Sequence, residues 1–74
     1  MEVIKEIFST NKKYKAEIIK RKDNLYQADT YLWDDEWETW VQVTEGLSLT
    51  DTEQSAINSA VEYLRNYTGE NIEF

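Results

Sequence analysis

Between Lys13 and Trp33 the side chains alternate between two classes with few breaks. Tyr14, Ala16 and Ile18 fall on one side and Lys15, Glu17, Ile19 and Arg21 on the other, the period of two that a half-covered strand presents. "KDN", Lys22 to Asn24, interrupts the pattern with residues that tolerate left-handed backbone and bond their own main chain, so a tight turn is expected there. Alternation resumes over Leu25 to Trp33, with Tyr26, Ala28, Thr30 and Leu32 opposite Gln27, Asp29, Tyr31 and Trp33. Aromatic residues and threonine suit such a pleated surface. Glu38 to Thr44, rich in Thr, Val and Trp, reads as a further strand joined through an acidic loop at Asp34 to Glu36. Val3 to Phe8 fits one and a half helical turns, yet its β-branched content and the following "STNKK" turn favour a strand, since short isolated helices are marginal in water.

After "EGLSL" the period changes. Thr50 can cap the first free amides of a helix, Glu53 can return the bond as a capping box, and Asp51 favours the positive end of the dipole. Ala56, Ile57, Ala60, Val61, Leu64 and Tyr67 recur at helical spacing, leaving Gln54, Asn58, Ser59, Glu62 and Arg65 on the opposite face, and Gly69 is a natural terminator.

The order strand, strand, strand, helix, with "DTEQSAINSAVEYL" opening the helix, resembles the HicB-like antitoxin family. In such domains a Gly-Asp-Thr step precedes a helix with alanines on its inner face; Asp51, Thr52, Ala56, Ala60 and Leu64 match that spacing, with Thr50 in place of the glycine. The resemblance spans roughly Tyr14 to Tyr67 and implies an α+β fold and an antitoxin-like role. The DNA-binding segment that such proteins append has no counterpart in the seven residues after Tyr67, so the resemblance bears on fold more than on operator binding.

Length changes the picture next. At 74 residues the chain is read as one α+β domain over 1–74, a three- or four-stranded antiparallel meander with one C-terminal helix packed on one face, without linker or second domain. A domain of that size buries only about 60 to 65% of the surface its unfolded chain exposes. With no cysteine to form a disulfide, the fold depends on its ten aromatic residues or on self-association. The N-terminus lacks the features of an export signal and no apolar run approaches the roughly 20 residues of a membrane span, so the expected location is cytoplasmic, with no membrane partner.

The net charge of −7 is unevenly spread: residues 1–22 carry seven Lys or Arg and three Glu, whereas residues 23–74 carry one Arg and twelve acids. An acidic surface repels phosphate, which argues against nucleic acid as the main partner. Catalysis lacks its usual parts. There is no His, no Cys, no glycine-rich phosphate loop and no nucleophile elbow, so a Ser-His-Asp system, a thiolate and a zinc hydroxide are all out of reach. No cofactor is expected, and the chain is not read as an enzyme.

"YLWDDEWETWVQV", Tyr31 to Val43, holds all three tryptophans and four carboxylates. If Trp33 pairs with Glu38 across a four-residue loop, Leu32, Thr39, Val41 and Val43 face the helix, while Tyr31, Trp33 and Trp40 face outward with Ile19. A three-residue loop would exchange the faces. The first register is preferred because two valines and a threonine make the better inner surface. On it, Ile19, Tyr31, Trp33 and Trp40 form an outward apolar patch, either a contact site for a protein partner or a second copy, or a set of cross-strand pairs that hold the hairpin together. The loop carboxylates Asp34, Asp35, Glu36 and Glu38 lack the spacing and turn glycine of a calcium loop and read as a solvated acidic turn, not a metal site. The functional expectation is a noncatalytic protein-interaction module, a small inhibitor or an antitoxin-like unit. The alternative is a nucleic-acid-binding sheet using the basic first strand and the outer aromatics.

Overall fold

The alternation becomes a four-stranded antiparallel sheet. The computed structural model describes residues 2–69, with the backbone alone at 45–48. Strands β1 (Glu2–Phe8), β2 (Tyr14–Lys20), β3 (Tyr26–Asp34) and β4 (Thr39–Thr50) lie side by side in chain order, and helix α1 (Glu53–Thr68) follows. The chain is therefore α+β, and the ambiguous first segment is a strand that extends the meander to four.

One face of the sheet is built for the helix. Ile7, Ala16, Ile18 and Ala28 are buried against Ala56, Ile57, Ala60, Val61 and Leu64 of α1. Four of these nine residues are alanines with no exposed surface, which lets helix backbone and sheet approach closely. Ile4, Tyr14 and Tyr26 close the rim.

The helix begins beside the end of β4 and finishes over Tyr14 of β2, where the Tyr67 ring meets the Tyr14 ring edge-on with centroids 5.1 Å apart. This diagonal leaves the other corner of the inner face open. Val41 and Val43, expected beneath the helix, are 45% and 37% exposed, and Tyr67, expected inside, is 48% exposed.

The helix start also differs from expectation. Thr52, not Thr50, is the N-cap: its Oγ1 accepts from the Ser55 amide at 3.1 Å, while the Thr50 hydroxyl donates to the Thr52 carbonyl at 2.8 Å. Two threonines compete for one role, and the one whose hydroxyl reaches a free amide takes it. Thr52→Ala is expected to cost about 1 kcal/mol. Thermal melts should show a drop of several degrees for Thr52→Ala and a smaller one for Thr50→Ala. Gly69 ends the helix in the left-handed region (φ 72°), its amide donating to the Arg65 carbonyl at 2.8 Å.

Strand β4 runs six residues beyond the expected end at Thr44. It pairs regularly with β3 from Asp34↔Thr39 to Tyr31↔Gln42, then slips by one residue before Thr30↔Thr44, again before Ala28↔Leu47 and again before Tyr26↔Thr50. Each slip is a bulge that bends the strand and breaks the alternation on which a sequence reading depends.

Candidate functional site

The outer face of the sheet is laid out in rows. The β1–β2 and β2–β3 registers align Phe8, Lys15 and Tyr31 across three strands, then Glu6, Glu17 and Asp29 in the next row. Beyond Tyr31, Trp33 pairs directly with Trp40, with ring centroids 5.2 Å apart and nearly perpendicular. The pairing is two residues from the expected Trp33 with Glu38, so the parity of the faces is unchanged. Tyr31, Trp33 and Trp40 do share the outer face.

Trp40 lies across its neighbours. Its ring sits 6.2 Å from that of Phe8, and the Lys15 ammonium lies 4.8 Å from the Trp40 centroid and 5.3 Å from that of Tyr31. Lys15 is only 8% exposed. Beneath the rings its Nζ donates to Glu6 at 2.9 Å and to Glu17 at 3.2 Å. Glu6 and Glu17 are directly opposed in the register, so the lysine separates two like charges that would otherwise repel. Burial alone would push the Lys15 ammonium down, but the hydrogen bonds and charges of the two glutamates outweigh it and hold its pKa above the ordinary lysine value.

Because the folded value is raised, the stabilisation is fully present below the unfolded lysine pKa of about 10.4 and is lost as pH rises through the raised value. Lys15→Met should cost about 1.5 kcal/mol, less than the roughly 3–5 of a fully buried pair because Glu6 is partly in water. Melts from about pH 9 to about pH 11.5 should show the gap between wild type and variant narrowing toward the alkaline end. A constant gap would contradict the role given to the charge.

Ile19 does not join the aromatic group. It is on the outer face but pairs with Gln27, four residues along from Lys15, about 13 Å at strand spacing, and is 6% exposed. Its cross-strand partners are Val3 on β1 and Gln27 on β3, and Gln27 donates to Asp29 at 3.1 Å and accepts from Arg21 at 3.0 Å.

The aromatic end of the face continues into the β3–β4 hairpin. Asp34 and Thr39 close it, and four residues, Asp35 to Glu38, form the turn. Asp34 Oδ1 accepts from the amides of Glu36 (2.9 Å) and Trp37 (3.2 Å), and Glu38 takes left-handed backbone (φ 51°) to bring the chain back. Asp35 is ion-paired with Lys13, which holds its carboxyl below the usual carboxylate range. Lys13 is itself fixed, since its carbonyl accepts from the Trp33 amide at 2.7 Å and its amide donates to Asn11 Oδ1 at 3.0 Å. The acidic loop is thus an ordered turn tied to its neighbour. Among the described residues no three carboxylates are grouped to hold a metal ion.

The residue this order displays is Trp37, which is 75% exposed and stands between Glu36 and Glu38. Sequence reasoning missed it because alternation assigns faces only within strands, and a loop residue has no parity. The available signal was compositional: a large indole in a turn otherwise made of acids. Among the described residues no helix is long and apolar enough to cross a membrane. Comparison with family models, with curated proteins and with solved structures gives no match to this chain.

Proposed function

We propose that the chain is a noncatalytic protein-interaction module, of the inhibitor or antitoxin-like kind, that meets its partner through the β3–β4 hairpin end of the outer face. The observation that carries this reading is Trp37, an indole held three-quarters in water on a turn whose backbone is fixed by Asp34. Leaving a tryptophan exposed costs hydration that a partner pocket recovers, and rigid presentation lowers the entropy lost on binding. Trp33 and Trp40 stiffen the base of the hairpin, and Glu36 and Glu38 select for a partner with a basic rim.

The pairing of Lys13, Lys15 and Arg21 favours a protein over a nucleic acid as partner. Lys15 is neutralised by Glu6 and Glu17 and covered by rings, Lys13 is paired with Asp35, and Arg21 with Asp23. Glu6, Glu17 and Asp29 run across the middle of the face where bases would have to stack.

The test is affinity capture from nuclease-treated lysate of the cells that make the protein, with wild type and Trp37→Ser as parallel baits. A stoichiometric protein held by wild type and lost with Trp37→Ser is the expected result. Equal capture by both baits would remove the hairpin from the interface, and material retained only when nuclease is omitted would favour nucleic acid.

A further inference from the structure

Two turns at opposite ends of the sheet differ in the sign of their excess charge, acidic for β3–β4 and basic for β2–β3. At one end the β3–β4 turn presents Trp37 with Glu36 and Glu38, neither of which has an ion-pair partner among the described residues. At the other end the β2–β3 turn is closed by the Arg21 amide donating to the Leu25 carbonyl at 2.8 Å, with Asn24 in left-handed backbone (φ 65°). Beside that turn lies an open recess of about 290 Å³ lined by Glu2, Lys20, Arg21, Lys22 and Asn24. Three cations and one carboxylate line it; Arg21 is paired with Asp23, whereas Lys20 and Lys22 are exposed without an ion-pair partner among the described residues. Their aliphatic stems give an indole something to lie on, and their charges are attracted by its face.

Resting on the reading of the hairpin as an interaction element, we infer that its occupant is a second copy of this chain: the Trp37 turn of one molecule docks into the Lys20–Arg21–Lys22 recess of the next. A turn cannot reach its own recess, because β3 separates the two by nine residues, about 30 Å at strand spacing. The two surfaces differ, so the contact is head-to-tail and propagates or closes into a ring instead of stopping at a twofold dimer. Charge complementarity sets its direction and makes it weaken with salt.

Sedimentation velocity of the full chain over a concentration series tests this. In low salt the weight-average mass of wild type should climb above the 8.8 kDa monomer with concentration and fall back in about 0.5 M salt. Trp37→Ser lacks the turn anchor and Lys20→Glu/Lys22→Glu lacks the recess, so each alone should stay monomeric. Mixed in equal amounts they should form a one-to-one dimer and nothing larger, because each supplies the surface the other lacks. Circular dichroism checks that both are folded; if the double variant is not, Lys22→Gln replaces it as the recess variant.

Wild type that stays monomeric at every concentration in low salt would overturn the inference. So would a mixture that stays monomeric, or Trp37→Ser assembling as wild type does. Trp37-dependent capture of a different protein alongside a monomeric wild type would sink self-docking while leaving the interaction module standing.

Discussion

Leu64→Ala is expected to lower stability by about 3 kcal/mol and to bring the melting temperature down by roughly 12–24 °C. Leu64 is 1% exposed and belongs to the helix face that covers Ala16, Ile18 and Ala28. With alanine already at four positions of this core, few large side chains remain to fill the space a truncation leaves. The site therefore has little means of collapsing, which keeps the cavity contribution from falling to the bottom of the usual range. A domain of this length has a total stability of only about 4–11 kcal/mol, so the loss is a large fraction of it. Urea titration by circular dichroism measures the effect. A cost below about 1 kcal/mol would mean that the helix is not held by this face.

Trp37→Ser should do the opposite. The side chain is three-quarters exposed and its ring touches no other ring of the described residues, so the melting temperature should change by no more than about 2 °C. Binding to whatever the hairpin engages should weaken by about 2–4 kcal/mol, roughly 30- to 1,000-fold, as truncation of an anchor residue does. Titration calorimetry of the captured partner against both proteins separates the two effects. Trp40→Ala is the informative contrast. Trp40 covers Lys15 and packs on Trp33 and Phe8, so its loss should lower stability and binding together.

Much of the fold was legible because its inner strands are simple. Tyr14 to Lys20 and Tyr26 to Trp33 alternate without a bulge between them, and the Ala, Ile and Leu positions of the helix recur at its own period. The rest was hidden for physical reasons that differ from case to case. Three bulges in β4 destroy the period of two, so its second half looked like loop. Val41, opposite Leu32, is on the side assigned to it and Val43 falls in the first bulge, but alternation carries no information about where a diagonal helix stops covering the sheet.

Ile19 shows the same limit on the outer face, since parity gives its side and not its distance along the strand. The salt-bridged Lys15 was visible only as a polar residue on the outer face. Its burial depends on Trp40 reaching across two strands, a consequence of side-chain size in three dimensions. Tyr31, Trp33 and Trp40 are brought together as expected, yet they form the support, and the residue they support was not singled out.

The most direct measurement of the central claim is photocrosslinking in the cells that make the protein. Trp37 is replaced by a photoreactive benzophenone amino acid, and a control carries the same group at Asn58 on the exposed face of the helix. The account predicts a discrete protein adduct from position 37, absent from position 58, whose mass shows whether the partner is another copy or a different protein. Adducts of equal yield from both positions, or none from position 37, would contradict it.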